Sequence, residues 1–246
     1  MNLKFESRPV AGQDQRPTPE IALDRDLNAI VVAFPWGPRE AAQRAIQRIF
    51  EYLRFTRQDR EATSPLPKLT CLSDAGNAVR TALELANSSI FREENREEYL
   101  SGLEIFVATL DETEFCWAQV GGPQVFLARG EQYLQPIGAQ MDLAFDLQPA
   151  HKAPLPILPN RLVGLDQSVM VDVRSFRARP EDKIILLAHS CPPPQVYTAN
   201  SRDLSDDLKS GHSLIQKIAA ADPHRAFWFG QISIEATDAE REALSL

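Results

Sequence analysis

Residues 117–130 read WAQVGGPQVFLARG: two short apolar runs, separated by Gly121-Gly122-Pro123 and closed by Arg129-Gly130. Working back, FCWAQV (115–120) is preceded by Asp111-Glu112-Thr113-Glu114 and by IFVATL (105–110), which predicts a hairpin with a short polar loop. Gly121-Gly122-Pro123 predicts a tight turn into QVFLA (124–128), so the middle of the chain reads as a β meander. Because Gly-Gly-Pro here opens no helix, it is not a phosphate-cradling loop.

Further out, LNAIVVAF (27–34) is a continuous apolar run, the pattern of a buried strand. Pro35, Gly37 and Pro38 are expected to break it, with Pro38 as the first helical residue. Ala42, Ala45, Ile46, Ile49, Phe50 and Leu53 then form one amphipathic stripe, opposite a face carrying Arg39, Arg44, Arg48 and Glu51 that reads as solvated surface. A polar loop over 56–70 leads to a second helix at about 74–91, with Asp74 as its cap and Ala75, Val79, Ala82, Leu83, Ala86 and Ile90 as its stripe. Two long helices after one strand suggest a helical layer on a sheet. Residues 136–168 read as an irregular connection. Beyond them, VMVDVRSF (169–176), KIILLA (183–188) and FWFGQISIEA (227–236) read as strands, with a short helix at about 212–221 and a loose tail over 237–246.

The order of these elements is similar to that of the metal-dependent, type 2C (PPM) protein phosphatase family, and several strings carry the resemblance. WAQVGGPQVFLARG resembles that family's "AnVGDSRaYLlRdG" hairpin, and DLNAIVVA resembles the strand leading into its metal-binding Asp-Gly. Ala86-Asn87-Ser88-Ser89-Ile90 resembles its Ala-Asn-x-x-Ile, and PEDKIILLA (180–188) its "GDxLLLaSDG" approach to another metal Asp. The resemblance implies an α/β (α+β) sandwich of two central, mainly antiparallel sheets flanked by helices. It implies a single domain spanning 1–246, with a core of about 5–236.

The departures bear on function. The family's reaction uses two Mg²⁺ or Mn²⁺ ions, bridged by carboxylates, to activate a water and clamp the phosphate. In this sequence the bridging Asp-Gly falls on Phe34-Pro35, the Asp of "VGDS" on Gly122, and the Asp of "SDG" on His189 or Ser190. The terminal "DN" falls on His224-Arg225, with Asp222 two positions away. Arg16 and Glu20 keep the spacing of a phosphate-binding Arg and a metal-binding Glu, while the acidic residue expected next is Ile21. One or two carboxylates without a bridging ligand do not hold two hard ions against their hydration. The expectation is a catalytically inactive pseudophosphatase that regulates or assembles through protein–protein contact, with no catalytic residues and no cofactor. The alternatives are a degenerate Ser/Thr phosphatase that recruits Mg²⁺ or Mn²⁺ through Glu20, Asp222 or other acidic residues, and a phosphopeptide-binding module resting on Arg16. Glu20, His189 and His224 are also the ingredients of a transition-metal site; the plainer expectation is that neutral polar residues replaced repelling carboxylates. Trp36 either covers the vacated cleft from within the chain, the favoured reading, or anchors a partner.

Bulk properties narrow the classes. A net charge of −8 argues against a phosphate backbone as partner. Three cysteines without a CxxC give neither a disulfide framework nor a zinc ribbon. Cys191 beside His189 is badly placed for activation, since neighbours on a strand end point to opposite sides; Cys71 and Cys116 are expected to be buried. The start MNLKFESRPVAGQDQ lacks an apolar signal core, and no run reaches the roughly 18 apolar residues of a membrane span, so a soluble cytoplasmic protein is expected.

Overall fold

The structure, a computed structural model, describes residues 1–12, 17–59, 64–138, 159, 161–189, 192–204, 208 and 213–237. The chain groups into two compact units, one drawn from 1–16, 123–158 and 179–246, the other from 17–122 and 159–178.

The second unit holds a five-stranded antiparallel sheet in the order β2-β3-β4-β5-β8. Its strands are β2 (Glu20–Asp24), β3 (Ala29–Trp36), β4 (Gly102–Asp111), β5 (Glu114–Val120) and β8 (Asp172–Arg177). Two helices, α1 (Arg39–Gln58) and α2 (Asp74–Glu94), lie on one face of it. The apolar stripes pair them with the sheet: Ile49 and Leu53 of α1 and Val79 and Leu83 of α2 share one buried cluster with Val31, Ile105 and Ala118. Each such side chain contributes about 1.5–3 kcal/mol by leaving water, so the stripes hold the layer in place. The opposite face of the sheet, with Val32, Phe34, Phe106 and Phe115, is buried as well. That explains why β3 is apolar at consecutive positions instead of alternating.

Several boundaries differ from the sequence reading. Pro35 does not end β3; it pairs with Leu103, and Trp36 with Gly102. Proline is tolerated there because β2 begins at Glu20, opposite Ala33, leaving the end of β3 with a neighbour on one side only. Pro38 occupies the N-cap position of α1 rather than its first turn, and α1 runs on to Gln58 inside the expected loop. The cap of α2 is Ser73, whose side chain accepts the Gly76 N–H at 3.0 Å; Asp74 is the first helical residue and faces solvent as an ion pair with Lys68. Cys71 is exposed in the turn before α2, whereas Cys116 is buried and its thiol is pushed up to about 12 by burial and by nearby Glu114.

The first unit holds a second five-stranded antiparallel sheet, ordered β1-β10-β9-β6-β7. It comprises β1 (Asn2–Val10), β6 (Gln124–Ala128), β7 (Gln135–Pro136), β9 (Lys183–Ala188) and β10 (Phe227–Glu235). Short helices α3 (Gln195–Thr198) and α4 (Ser213–Ala221) pack on one face through Val196, Leu214 and Ile218 against Phe126, Ile185 and Phe229. Strand β6 pairs with β9 and β7. Residues 117–130 are therefore not a hairpin: β5 and β6 belong to different sheets, and Gly121-Gly122-Pro123 is the crossing between them. A bidentate pair fastens this unit, with Arg129 donating to both oxygens of buried Asp182 at 2.8 and 2.7 Å. The tail expected over 237–246 lies outside the described residues after Thr237.

Candidate functional site

Strand β3 delivers Phe34 and Trp36 to the sheet face away from α1 and α2, since residues two apart share a side. Phe34 is fully buried. Its partner across the ladder is Glu104 of β4, a carboxylate only 4% exposed among apolar neighbours. Burying that charge requires donors. Trp36 supplies one, its indole Nε1–H donating to Glu104 Oε2 at 2.9 Å. The Gly122 amide supplies another, donating to Oε1 at 2.7 Å.

Next to this group Gln119, 1% exposed, accepts the Trp117 indole N–H at 3.1 Å and donates to the Gly121 carbonyl at 3.0 Å. Gly121 has φ +72°, and a Cβ there would lie 2.8 Å from Glu104 Cγ. Glycine is required on both counts, conformation and proximity.

The remaining predicted positions lie elsewhere. Glu20, on edge strand β2, is engaged by the guanidinium of Arg39 at the start of α1. The other arginines of that helix face are likewise paired, Arg44 with Glu94 and Arg48 with Glu51. In the other unit, His189 directly follows β9, buried, with its ring 5.5 Å from that of Phe227. His224 is exposed in the turn before β10, and Asp222 pairs with Arg225 at 2.8 Å. Arg16, Ser190 and Cys191 lie outside the described residues. Among the described residues, no group of three or more His, Cys, Asp or Glu side chains is arranged to hold a metal ion.

Two asparagines, Asn87 of the Ala-Asn-x-x-Ile string and Asn95 just after α2, tie that helix to its surroundings. Asn87 accepts the Gly164 N–H at 2.7 Å and donates to the Asp166 carbonyl at 3.0 Å, tying α2 to residues 164–166. Asn95 accepts the Leu100 and Ser101 amides at 2.8 and 2.9 Å and donates to Gly164 O, fixing the entry to β4. The residues that sequence reading missed are Glu104 and Gln119. For Glu104 the signal is present: a single charge inside LEIFVATL, just ahead of the predicted strand IFVATL (105–110).

No protein-family model matches the sequence, and no curated protein matches it significantly. Solved structures do match. PstP/Ppp, a serine/threonine phosphatase of Mycobacterium tuberculosis, superposes with a TM-score of 0.60 at 15% identity, covering 96% of this chain and 100% of that one. The chain has the fold of the PPM-type serine/threonine phosphatases. The PPM phosphatase MsPP of Mycobacterium smegmatis gives a TM-score of 0.61 at 14% identity, over 94% of this chain and 98% of that one. PppA of Pseudomonas aeruginosa, described as a key regulatory component of T6SS, gives 0.59 at 18% identity over 95% and 98%. The PPM fold thus extends over nearly the whole length, with its two antiparallel sheets and paired long helices.

Proposed function

We propose that this chain is a catalytically inert, phosphatase-like module that regulates or assembles through contact with another protein. The observation that carries the proposal is Phe34, an apolar ring buried where the resembled strand presents its bridging carboxylate. A two-ion centre needs several carboxylate oxygens around one space. The donor set here does not fit one. Glu104 already accepts two N–H groups, Glu20 is neutralised by Arg39, Asp222 is held by Arg225, and Gly122 offers an amide proton where oxygen would be needed. These residues therefore offer phosphate hydrolysis no two-ion centre. The description of PppA, whose fold is similar, as a regulatory component adds support for a partner protein. Among the described residues no helix is long and apolar enough to cross a membrane.

The test is turnover of p-nitrophenyl phosphate and of a phosphopeptide with Mn²⁺ or Mg²⁺, comparing the unmodified chain with Glu20→Ala. No metal-dependent hydrolysis above background is expected. Hydrolysis that Glu20→Ala abolishes would instead establish a degenerate phosphatase. A partner co-purified from the source cells must then re-form the complex from purified components.

A further inference from the structure

We propose that Glu104 and Gln119 form a metal-free fastener, holding the Gly121-Gly122 crossing and the end of β3 in place by side-chain hydrogen bonds alone. The proposal deepens the non-catalytic reading and rests on it for the absence of ions at this corner.

The two side chains work in parallel. Each is buried, each accepts one tryptophan indole N–H, and each grips one residue of the crossing: Trp36 and Gly122 for Glu104, Trp117 and Gly121 for Gln119. Three strands and the turn are tied together, since Trp36 ends β3, Glu104 lies on β4 and Gln119 on β5. The carboxylate is the stronger member, because N–H bonds to an ionised acceptor are roughly twice as strong as neutral ones. Gly121 permits it: with no Cβ, the crossing lies against the Glu104 stem. A divalent ion entering here would compete with both donors for the same oxygens, at the cost of leaving an indole N–H and an amide unsatisfied.

The inference predicts that folding stability is insensitive to divalent cations and sensitive to this network. Thermal unfolding of the full chain is measured in excess EDTA and in excess MnCl₂, for the unmodified protein, Trp36→Phe, Glu104→Gln and the double variant. The unmodified protein is expected to melt at the same temperature in both buffers. Glu104→Gln lowers the melting temperature by about 2–10 °C, the range expected for one buried donor left unsatisfied in a chain of this size. Trp36→Phe lowers it less, and the double variant falls little below Glu104→Gln, because both remove one shared bond. In the same samples the Gly122 amide exchanges faster in Glu104→Gln, because the oxygen that still accepts it no longer belongs to a charged group. A manganese-dependent rise in the unmodified protein overturns the proposal, and so do strictly additive falls in the double variant. Hydrolysis with an unchanged melting temperature contradicts the non-catalytic reading alone; a manganese-dependent rise without hydrolysis contradicts the fastener alone. Glu104→Gln keeps side-chain size, so the metal and exchange comparisons stand even if Trp36→Phe, which also removes ring volume, does not fold.

Discussion

Phe34 and Glu104 face each other across one ladder position, and their pairing sets what chemistry is open to this corner. A carboxylate at 34 would sit beside a second one with no cation between them. Phe34→Asp is therefore expected to destabilise the chain by about 3–5 kcal/mol, the cost of an uncompensated buried charge. Chemical denaturation with and without Mn²⁺ checks this. Recovery of the loss by the ion would show that a metal site can be regenerated by one substitution. Gly121→Ala is expected to cost about 1–3 kcal/mol, because alanine must hold φ +72° and push its Cβ against the Glu104 stem. The same measurement decides it, and a neutral result would mean that the crossing can shift without disturbing Glu104.

At the scale of elements, α2 is held in two ways, by its N-terminal cap and by its buried stripe. Ser73→Ala removes the side-chain acceptor of the Gly76 N–H and is expected to cost about 1 kcal/mol, a typical cap loss. Leu83→Ala empties a fully buried position between α2 and the sheet and is expected to cost about 2–5 kcal/mol. Denaturant midpoints for the two variants should rank in that order. Equal losses would mean that the cap holds α2 as strongly as the Leu83 position of its stripe does. The stripes were legible because burying one helix face imposes a 3.6-residue period. The cap was misplaced by one position because Ser73 and Asp74 both suit that role, and only the observed Gly76 bond distinguishes them. Strands β1 and β2 escaped notice for a related reason. They lie at sheet edges, half in water, so LKFESRPV and EIALD carry no continuous apolar run.

For the molecule as a whole, acid should act on carboxylates held ionised by the fold. In Asp203, the hydrogen bond from Lys217 leads in depressing the pKa, over the opposing effect of burial. In Asp24, burial acts to raise the pKa, but the Leu27 amide and Arg54 together outweigh it. Both groups have folded pKa values below the unfolded ones. Their stability is fully present above the unfolded value of about 4 and is lost as pH falls through the folded values. Melting temperature is expected to hold from neutrality to about pH 5 and to drop below about pH 4. Asp203→Asn should flatten part of that drop, and an unchanged acid limb in this variant would remove Asp203 from the account.

By itself the sequence determined where apolar surface had to be buried, and so most of the elements: β3, the two stripes, β9, β10 and the alternating valines that lead into β8. It also determined the absence of carboxylates at positions 34 and 122, since side-chain chemistry does not depend on folding. Only the tertiary structure decided that WAQVGGPQVFLARG crosses between sheets, because Gly-Gly-Pro permits a tight hairpin and a crossing equally well, and the strand pairings that choose between them are long-range. It alone brought Glu104 and Gln119 to the two glycines of that crossing. A lone glutamate in an apolar strand signals a buried charge, but its donors come from Trp36, 68 positions away, and from Gly122, 18 away. Hydrogen-bond partners at such separations are set by register, which no local pattern encodes.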